Sequence, residues 1–149
     1  MKESIFISCP TQNTTFAQKM AEALEGAGIP CWYAMRDFHP KEKCPPQLIL
    51  DAIDKCHLFV VVLSMRATQS QQIQREVEAA WRKGKPIVAF KIDKAECPMW
   101  LENAMREAAL IDVGDTTIEH GLRLITERVT AILRDTSKRI SLRVNPKVS

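Results

Sequence analysis

The chain has 149 residues, 46% hydrophobic and 26% charged, proportions that fit a globular fold and exclude disordered, collagen-like and membrane-embedded chains. That length suits one domain hiding about 70% of the surface its unfolded form exposes, so a core needs neither metals nor disulfides. The formal charge of +3 is misleading: 17 Lys and Arg stand against all 18 Asp and Glu as far as Asp135, and the other four cations (Lys138, Arg139, Arg143, Lys147) sit in the last fourteen residues, so the neutral body presents no basic face for nucleic acid or membranes.

No apolar run approaches the roughly 20 residues that cross a bilayer, and the opening Met-Lys-Glu-Ser-Ile lacks the apolar stretch of a signal peptide. A cytoplasmic location is expected. The five cysteines (Cys9, Cys31, Cys44, Cys56, Cys97) are odd in number and widely spaced, with no CxxC pair and no histidine at a zinc-ligand spacing. They read as reduced structural thiols, with no metal site.

Short β-rich apolar runs alternate with stretches of helical period, the pattern of βαβ units around a parallel sheet. Ser4 to Ser8 reads as the first strand. Thr14 to Ala27 follows as a helix, with Phe16, Met20, Ala23, Leu24 and Ala27 on one face and Gly28 closing it. Ile29 to Tyr33 is the second strand, and a charged loop from Ala34 to Cys44 leads to Pro45, Pro46 and a helix carrying Leu48, Ile49, Ala52 and Ile53. Leu58 to Leu63 is almost wholly apolar, as suits a central strand covered on both faces. Beyond a Ser/Thr/Gln linker, Gln71 to Lys83 is helical and ended by Gly84; Pro86 to Phe90 is the fourth strand. Trp100 to Met105 forms a short helix, Ala109 to Asp112 an edge strand, and Thr117 to Leu133 the last helix. Residues 1–134 then make the domain, and 135–149 a basic linker or disordered tail.

Successive right-handed crossovers in so short a chain predict an α/β fold: a flavodoxin-like five-stranded parallel sheet, order 2-1-3-4-5, with helices on both faces. Ligands of such folds settle outside the carboxyl ends of the strands, where connections to neighbouring strands diverge. The segments at that edge are Cys9 to Asn13, Ala34 to Cys44 and Ser64 to Gln72. The first has no glycine, which excludes both the dinucleotide fingerprint and the Walker A loop. Ser8 and Ser64, where a response regulator would carry acidic residues, argue against that function.

Glu76 is the carboxylate to watch. With Ile73 at the centre of the apolar face, Glu76 falls about 60° to one side, on the margin between core and solvent, and Glu78 about 140° away, in solvent. Two readings stand: a rim carboxylate tuned by partial burial, or a boundary glutamate paired with Arg75 or Arg36. The loop Met35 to Lys43 is longer than the usual βα connection, which favours a binding lid or contact surface over a merely solvated loop. His39, His57 and His120 share no triad pattern, and Trp32, Trp81 and Trp100 fit packing better than a stacking site.

Ile5 to Ser8, Ala27 to Phe38 (AGIPCWYAMRDF), Phe59 to Ser64 (FVVVLS), Arg75 to Ala80 (REVEAA) and Gly84 to Val88 (GKPIV) together resemble, in order and spacing, the Toll/interleukin-1 receptor (TIR) domain in its bacterial form, over about residues 4 to 134. The resemblance implies the same flavodoxin-like fold. It also implies cleavage of NAD+ at the nicotinamide-ribose bond, giving nicotinamide and ADP-ribose or a cyclic isomer, by a catalytic glutamate that matches Glu76. Ser8, Cys9, Arg36 and Gln72 would then line the substrate pocket. NAD+ enters as substrate, with no cofactor and no metal. The loop carrying Arg36, Asp37, Phe38 and His39 corresponds to the family's BB loop, which contacts neighbouring TIR domains; activation by self-assembly, a role in bacterial antiphage signalling and a sensing domain beyond the tail follow as expectations. The chain has Gln72 where many NAD-cleaving members carry an aromatic, Cys9 where an aromatic or histidine is frequent, and Lys41 where a glycine follows the loop's proline. A non-enzymatic adaptor acting through homotypic contacts is the alternative, and nucleoside deoxyribosyl transfer on a related fold a third.

Overall fold

A computed structural model describes residues 4–105 and 110–144, with side chains as far as 135. The elements run β1 (Ile5–Ser8), α1 (Thr14–Gly26), β2 (Cys31–Trp32), α2 (Pro46–Lys55), β3 (Leu58–Leu63), α3 (Met65–Thr68), α4 (Gln71–Arg82), β4 (Ile87–Lys91), α5 (Met99–Met105), β5 (Leu110–Asp112) and α6 (Ile118–Val144). All strand pairs are parallel and the sheet order is β2-β1-β3-β4-β5, the order expected from the alternation.

Strand alternation sorts the core into two layers. Ile5 and Ile7 of β1 and Leu58, Val60 and Val62 of β3 face α1 and α6, whose Met20, Leu24, Ile125 and Val129 cover them. Phe6, Phe59, Val61 and Leu63 point the other way, against Ile49 and Ile53 of α2, Ile73 and Val77 of α4 and Leu101 of α5. Every residue of β3 is buried, as its unbroken apolar run requires. Across that second layer Trp32, Phe6 and Phe59 sit in register on three adjacent strands and stack, with ring centroids 5.1 Å and 5.0 Å apart.

The two glycines placed at helix ends do the same work. Gly28 and Gly84 take φ of 85° and 70°; the amide after each, Ile29 or Lys85, bonds back to Leu24 or Ala80, closing α1 and α4 in the left-handed cap that only glycine enters without strain. Three differences from the sequence reading exceed a one-residue shift of a boundary. β2 is two residues long, because Pro30 has no N–H to give and lends only its carbonyl to Ile5. The linker after β3 contains α3, a single turn capped by the Ser64 hydroxyl; one turn is too short for periodicity to reveal. α6 runs on from Leu133 to Val144, through much of the segment expected as linker or tail. Residues 145–149 and Ala109, the expected first residue of the edge strand, lie outside the described residues.

Among the described residues no helix is long and apolar enough to cross a membrane. Phe59→Ala is expected to cost about 3–5 kcal/mol in urea unfolding, because it removes a fully buried ring of β3 at one end of the aromatic stack. Trp81→Ala, at a side chain 45% exposed on α4, is expected to stay within about 1 kcal/mol.

Candidate functional site

The buried polar side chains among the described residues are Ser8, Lys41, Ser64 and Glu76, and all four lie at the carboxyl edge of the sheet. Ser8 ends β1, Ser64 follows β3, Glu76 is in the second turn of α4, and Lys41 begins a 3-10 turn in the loop between β2 and α2. Glu76 shares the buried face of α4 with Ile73, Val77 and Ala80 and is only 4% exposed, so the packing of α4 against β3 carries it inside the margin the helical wheel assigned.

One oxygen of Glu76 takes every bond. The Ser8 hydroxyl donates to Oε1 at 2.7 Å, and the Lys41 ammonium donates to the same oxygen at 2.8 Å. Lys41, 3% exposed, also donates to the Cys9 carbonyl at 3.2 Å, and its backbone N–H to Thr11 Oγ1 at 3.1 Å. Oε2 is buried with no hydrogen-bond partner among the described residues. An orphaned carboxylate oxygen is rare in a folded interior and marks a position where a ligand hydroxyl or water belongs.

Two cavities adjoin this cluster. One of about 600 Å³ has Glu76 in its lining with Cys44, Ile49, Leu50 and Arg75; a smaller one of about 240 Å³ is lined by Thr11, Lys41 and Arg66 among others. Glu42, Ser70 and Gln72 border both. The larger therefore has a mixed, largely apolar wall with two carboxylates, Glu42 and Glu76, in it, and the smaller is polar, with two cations and Glu42. All three segments expected at the ligand edge contribute to these walls.

The structure brings Ser8, Gln72 and Glu76 to one place, with Gln72 one turn before Glu76 on α4. Cys9 is there through its carbonyl alone: its side chain is fully buried, its Sγ lies 3.3 Å from the Asn13 carbonyl, and burial pushes the thiol up to about 12, outweighing the nearby Lys41 charge. Arg36 is elsewhere. Its guanidinium bonds Glu25 at the end of α1 at 2.7 Å and lies 4.9 Å over the Tyr33 ring, and it lines neither cavity. Asp37 and His39 are exposed, while Phe38 is half-buried and packs against the second core layer. Neither Arg75 nor Arg36 pairs with Glu76; Lys41 does. Local pattern does not separate Lys41 from Lys43, and only the path of the loop does; its standing where a glycine is usual was the one available signal. Glu78 lies on the solvent face, as expected, and pairs there with Arg82.

The other thiols behave as structural groups. Burial pushes Cys31 up to about 12 and Cys56 up to about 11, and raises Cys44 and Cys97 as well. Among the described residues no group of three His, Cys, Asp or Glu side chains is arranged to hold a metal. His57 lies at the far edge, its Nδ1 accepting the Ser4 N–H.

A family profile described as TIR domain matches residues 5–125. Comparison with curated proteins finds no match. Among solved structures, the TIR domain of the Toll-related receptor TRR-2 from Hydra magnipapillata is 19% identical, covering 89% of this chain and 97% of that one with a TM-score of 0.66. The RPS4 and RRS1 TIR domain heterodimer gives 17% identity, 87% and 97% coverage and 0.64. The CMP N-glycosidase BcmB of Clostridium botulinum gives 17%, 83% and 98%, and 0.60. At these identities the likeness is one of fold.

Lys41→Met is expected to destabilise by about 3–5 kcal/mol in urea unfolding, since it strands a buried carboxylate, and adding Glu76→Gln should recover most of the loss. The thiols give a pH dependence. Folded Cys9 and Cys31 titrate at about 12 against 9.0 for the free group, so the folded state keeps protons that the unfolded state surrenders. Their contribution to stability is complete below pH 9 and is lost as pH rises from 9 toward 12. Unfolding midpoints at pH 8 and 10.5 are expected to show that loss, and a Cys9→Ala variant a shallower one.

Proposed function

This chain belongs to the TIR domain family, and on that premise we propose that it is an N-glycosidase that cleaves the nicotinamide-ribose bond of NAD+, with Glu76 as the catalytic residue. The observation that carries the reading is the asymmetry of Glu76: Oε1 is held by Ser8 and Lys41, while buried Oε2 has no partner and the residue lines a cavity of about 600 Å³. A carboxylate fixed through one oxygen presents the other without reorganisation, which is the condition for electrostatic stabilisation of developing charge.

The chemistry needs little else. When the C1′–N bond breaks, its electron pair leaves with nicotinamide, which departs neutral and needs no proton donor. C1′ becomes oxocarbenium-like, as in glycoside hydrolysis, and the Glu76 carboxylate stabilises that charge and holds the ribose hydroxyls. Water adds to C1′ and gives up a proton to give ADP-ribose; a nitrogen of the substrate's own adenine adding instead gives a cyclic isomer. Gln72, one turn before Glu76, borders the cavity and orients the departing ring. What supports an N-glycosyl substrate is this geometry together with the fold shared with a CMP N-glycosidase.

Activation by assembly belongs to the same reading. Arg36, Asp37 and His39 are exposed on the loop that carries Lys41 inward, and a structure of similar fold is a TIR domain heterodimer. The near-complete burial of Glu76 under Lys41 favours a second reading, an adaptor that assembles without turnover. Nicotinamide release from NAD+, followed across protein concentration with product identification, separates the two. Turnover rising faster than linearly with concentration is expected, with Glu76→Gln lowering it about a hundredfold or more. Equal rates for the two proteins would remove Glu76 from the mechanism, and assembly with no turnover would leave the adaptor.

A further inference from the structure

The smaller cavity has no part in bond cleavage as described, and its lining is unlike that of its neighbour. Two cations border it. Lys41 is 3% exposed, and an ammonium has three donors, of which Glu76 Oε1 and the Cys9 carbonyl take two. The third has no partner among the described residues. Arg66, on α3, is exposed and makes no ion pair among the described residues, so its five N–H donors are available to the same recess.

The start of α4 closes the recess. Ser70 satisfies two amides there, taking the Ile73 N–H on its hydroxyl and the Gln74 N–H on its carbonyl. The Gln71 and Gln72 amides have no partner among the described residues, and both lie at the positive end of a twelve-residue helix. Side-chain amides of Gln12, Gln69 and Gln72 fill in the wall. A space of about 240 Å³ lined by two cations, by Ser70 and Gln72 at the start of α4 and by carboxamides has the donors that a tetrahedral anion with several acceptor oxygens satisfies.

We infer that this recess is a phosphate subsite, so that the substrate at Glu76 is a 5′-phosphorylated N-riboside with its phosphoryl group held by Arg66, Lys41 and the start of α4. The inference rests on the N-glycosidase reading for the occupant of the larger cavity, but not for the anion itself. Glu42, Ser70 and Gln72 border both spaces, so the recess adjoins the cavity that Glu76 lines. Lys41 joins the two, since it bonds Glu76, which lines the cavity, and itself lines the recess. Glu42 opposes the anion, being an exposed carboxylate on the wall, and tempers the affinity.

Nicotinamide mononucleotide and nicotinamide riboside differ only in the 5′-phosphate, and calorimetric titration of the whole chain with each reads the subsite directly. The mononucleotide is expected to bind about tenfold tighter or more; Arg66→Ala should erase that gap and Glu42→Gln widen it. Inorganic pyrophosphate should shift the Gln71 and Gln72 amide resonances, and less so in Arg66→Ala. Arg66 is exposed and its circular dichroism and melting point serve as the folding control. Equal binding of the two ligands, a gap that survives Arg66→Ala, or pyrophosphate shifts confined to other amides would each overturn the subsite. Pyrophosphate shifts at those amides in a chain that cleaves no N-riboside would uphold the subsite while the enzymatic reading fails. NAD+ turnover with a KM untouched by Arg66→Ala would do the reverse.

Discussion

The edge of this molecule is organised by one buried ion pair, Lys41 with Glu76, and by the single carboxylate oxygen on which it is made. That oxygen ties together β1 through Ser8, the loop before α2 through Lys41, and α4 through Glu76 itself. A pair this deeply buried gives little net stability, because desolvating both charges costs about what their attraction returns. What it fixes is position. Within the loop from residue 34 to 44, Arg36, Asp37, His39, Glu42 and Lys43 are exposed, while Ala34, Met35 and Cys44 are buried and Phe38 packs against the second core layer. Lys41 turns the loop back over the end of β1, where its backbone also bonds Thr11. Glu42, next in sequence, thereby becomes part of the wall between the two cavities.

The arrangement leaves Glu76 lopsided. Two donors converge on Oε1 and none reaches Oε2, although Gln72 and Arg75 border the same cavity. Local consistency elsewhere in the chain is high, with apolar runs in the sheet and glycines at the left-handed helix ends, so a buried oxygen with no partner among the described residues stands out against it.

Much of the fold was legible because parallel sheets write their burial into the chain. β3 is six apolar residues in a row and its bounds coincide with the reading; the Gly28 and Gly84 caps follow from a conformation few other residues adopt. Elements that local pattern does not encode were misjudged. α3 is one turn, β2 is trimmed by a proline, and the cations of α6 beyond Leu133 looked like a tail because no apolar stripe continues there. The site divides along the same line. Ser8 at a strand end and Glu76 and Gln72 four residues apart on a helix follow from local geometry. Arg36 was misplaced and Lys41 overlooked because a long side chain on a loop goes where tertiary partners take it: Glu25 and Tyr33 for the first, Glu76 for the second.

Phosphate binding in open α/β folds is commonly assigned to a glycine-rich turn after the first strand, whose backbone amides cradle the anion. Here that turn is Cys9 to Asn13, with Pro10 in place of one donor and no glycine to let a phosphate approach the backbone. Amides without a partner among the described residues also stand at the start of α4, after the third strand, and the cations come from α3 and the loop before α2. The switch-point crevice is thus kept while the elements that supply its charge are exchanged. Structures of similar fold range from a TIR domain heterodimer to a CMP N-glycosidase. The crevice belongs to the fold; what it holds is decided by the few side chains turned into it.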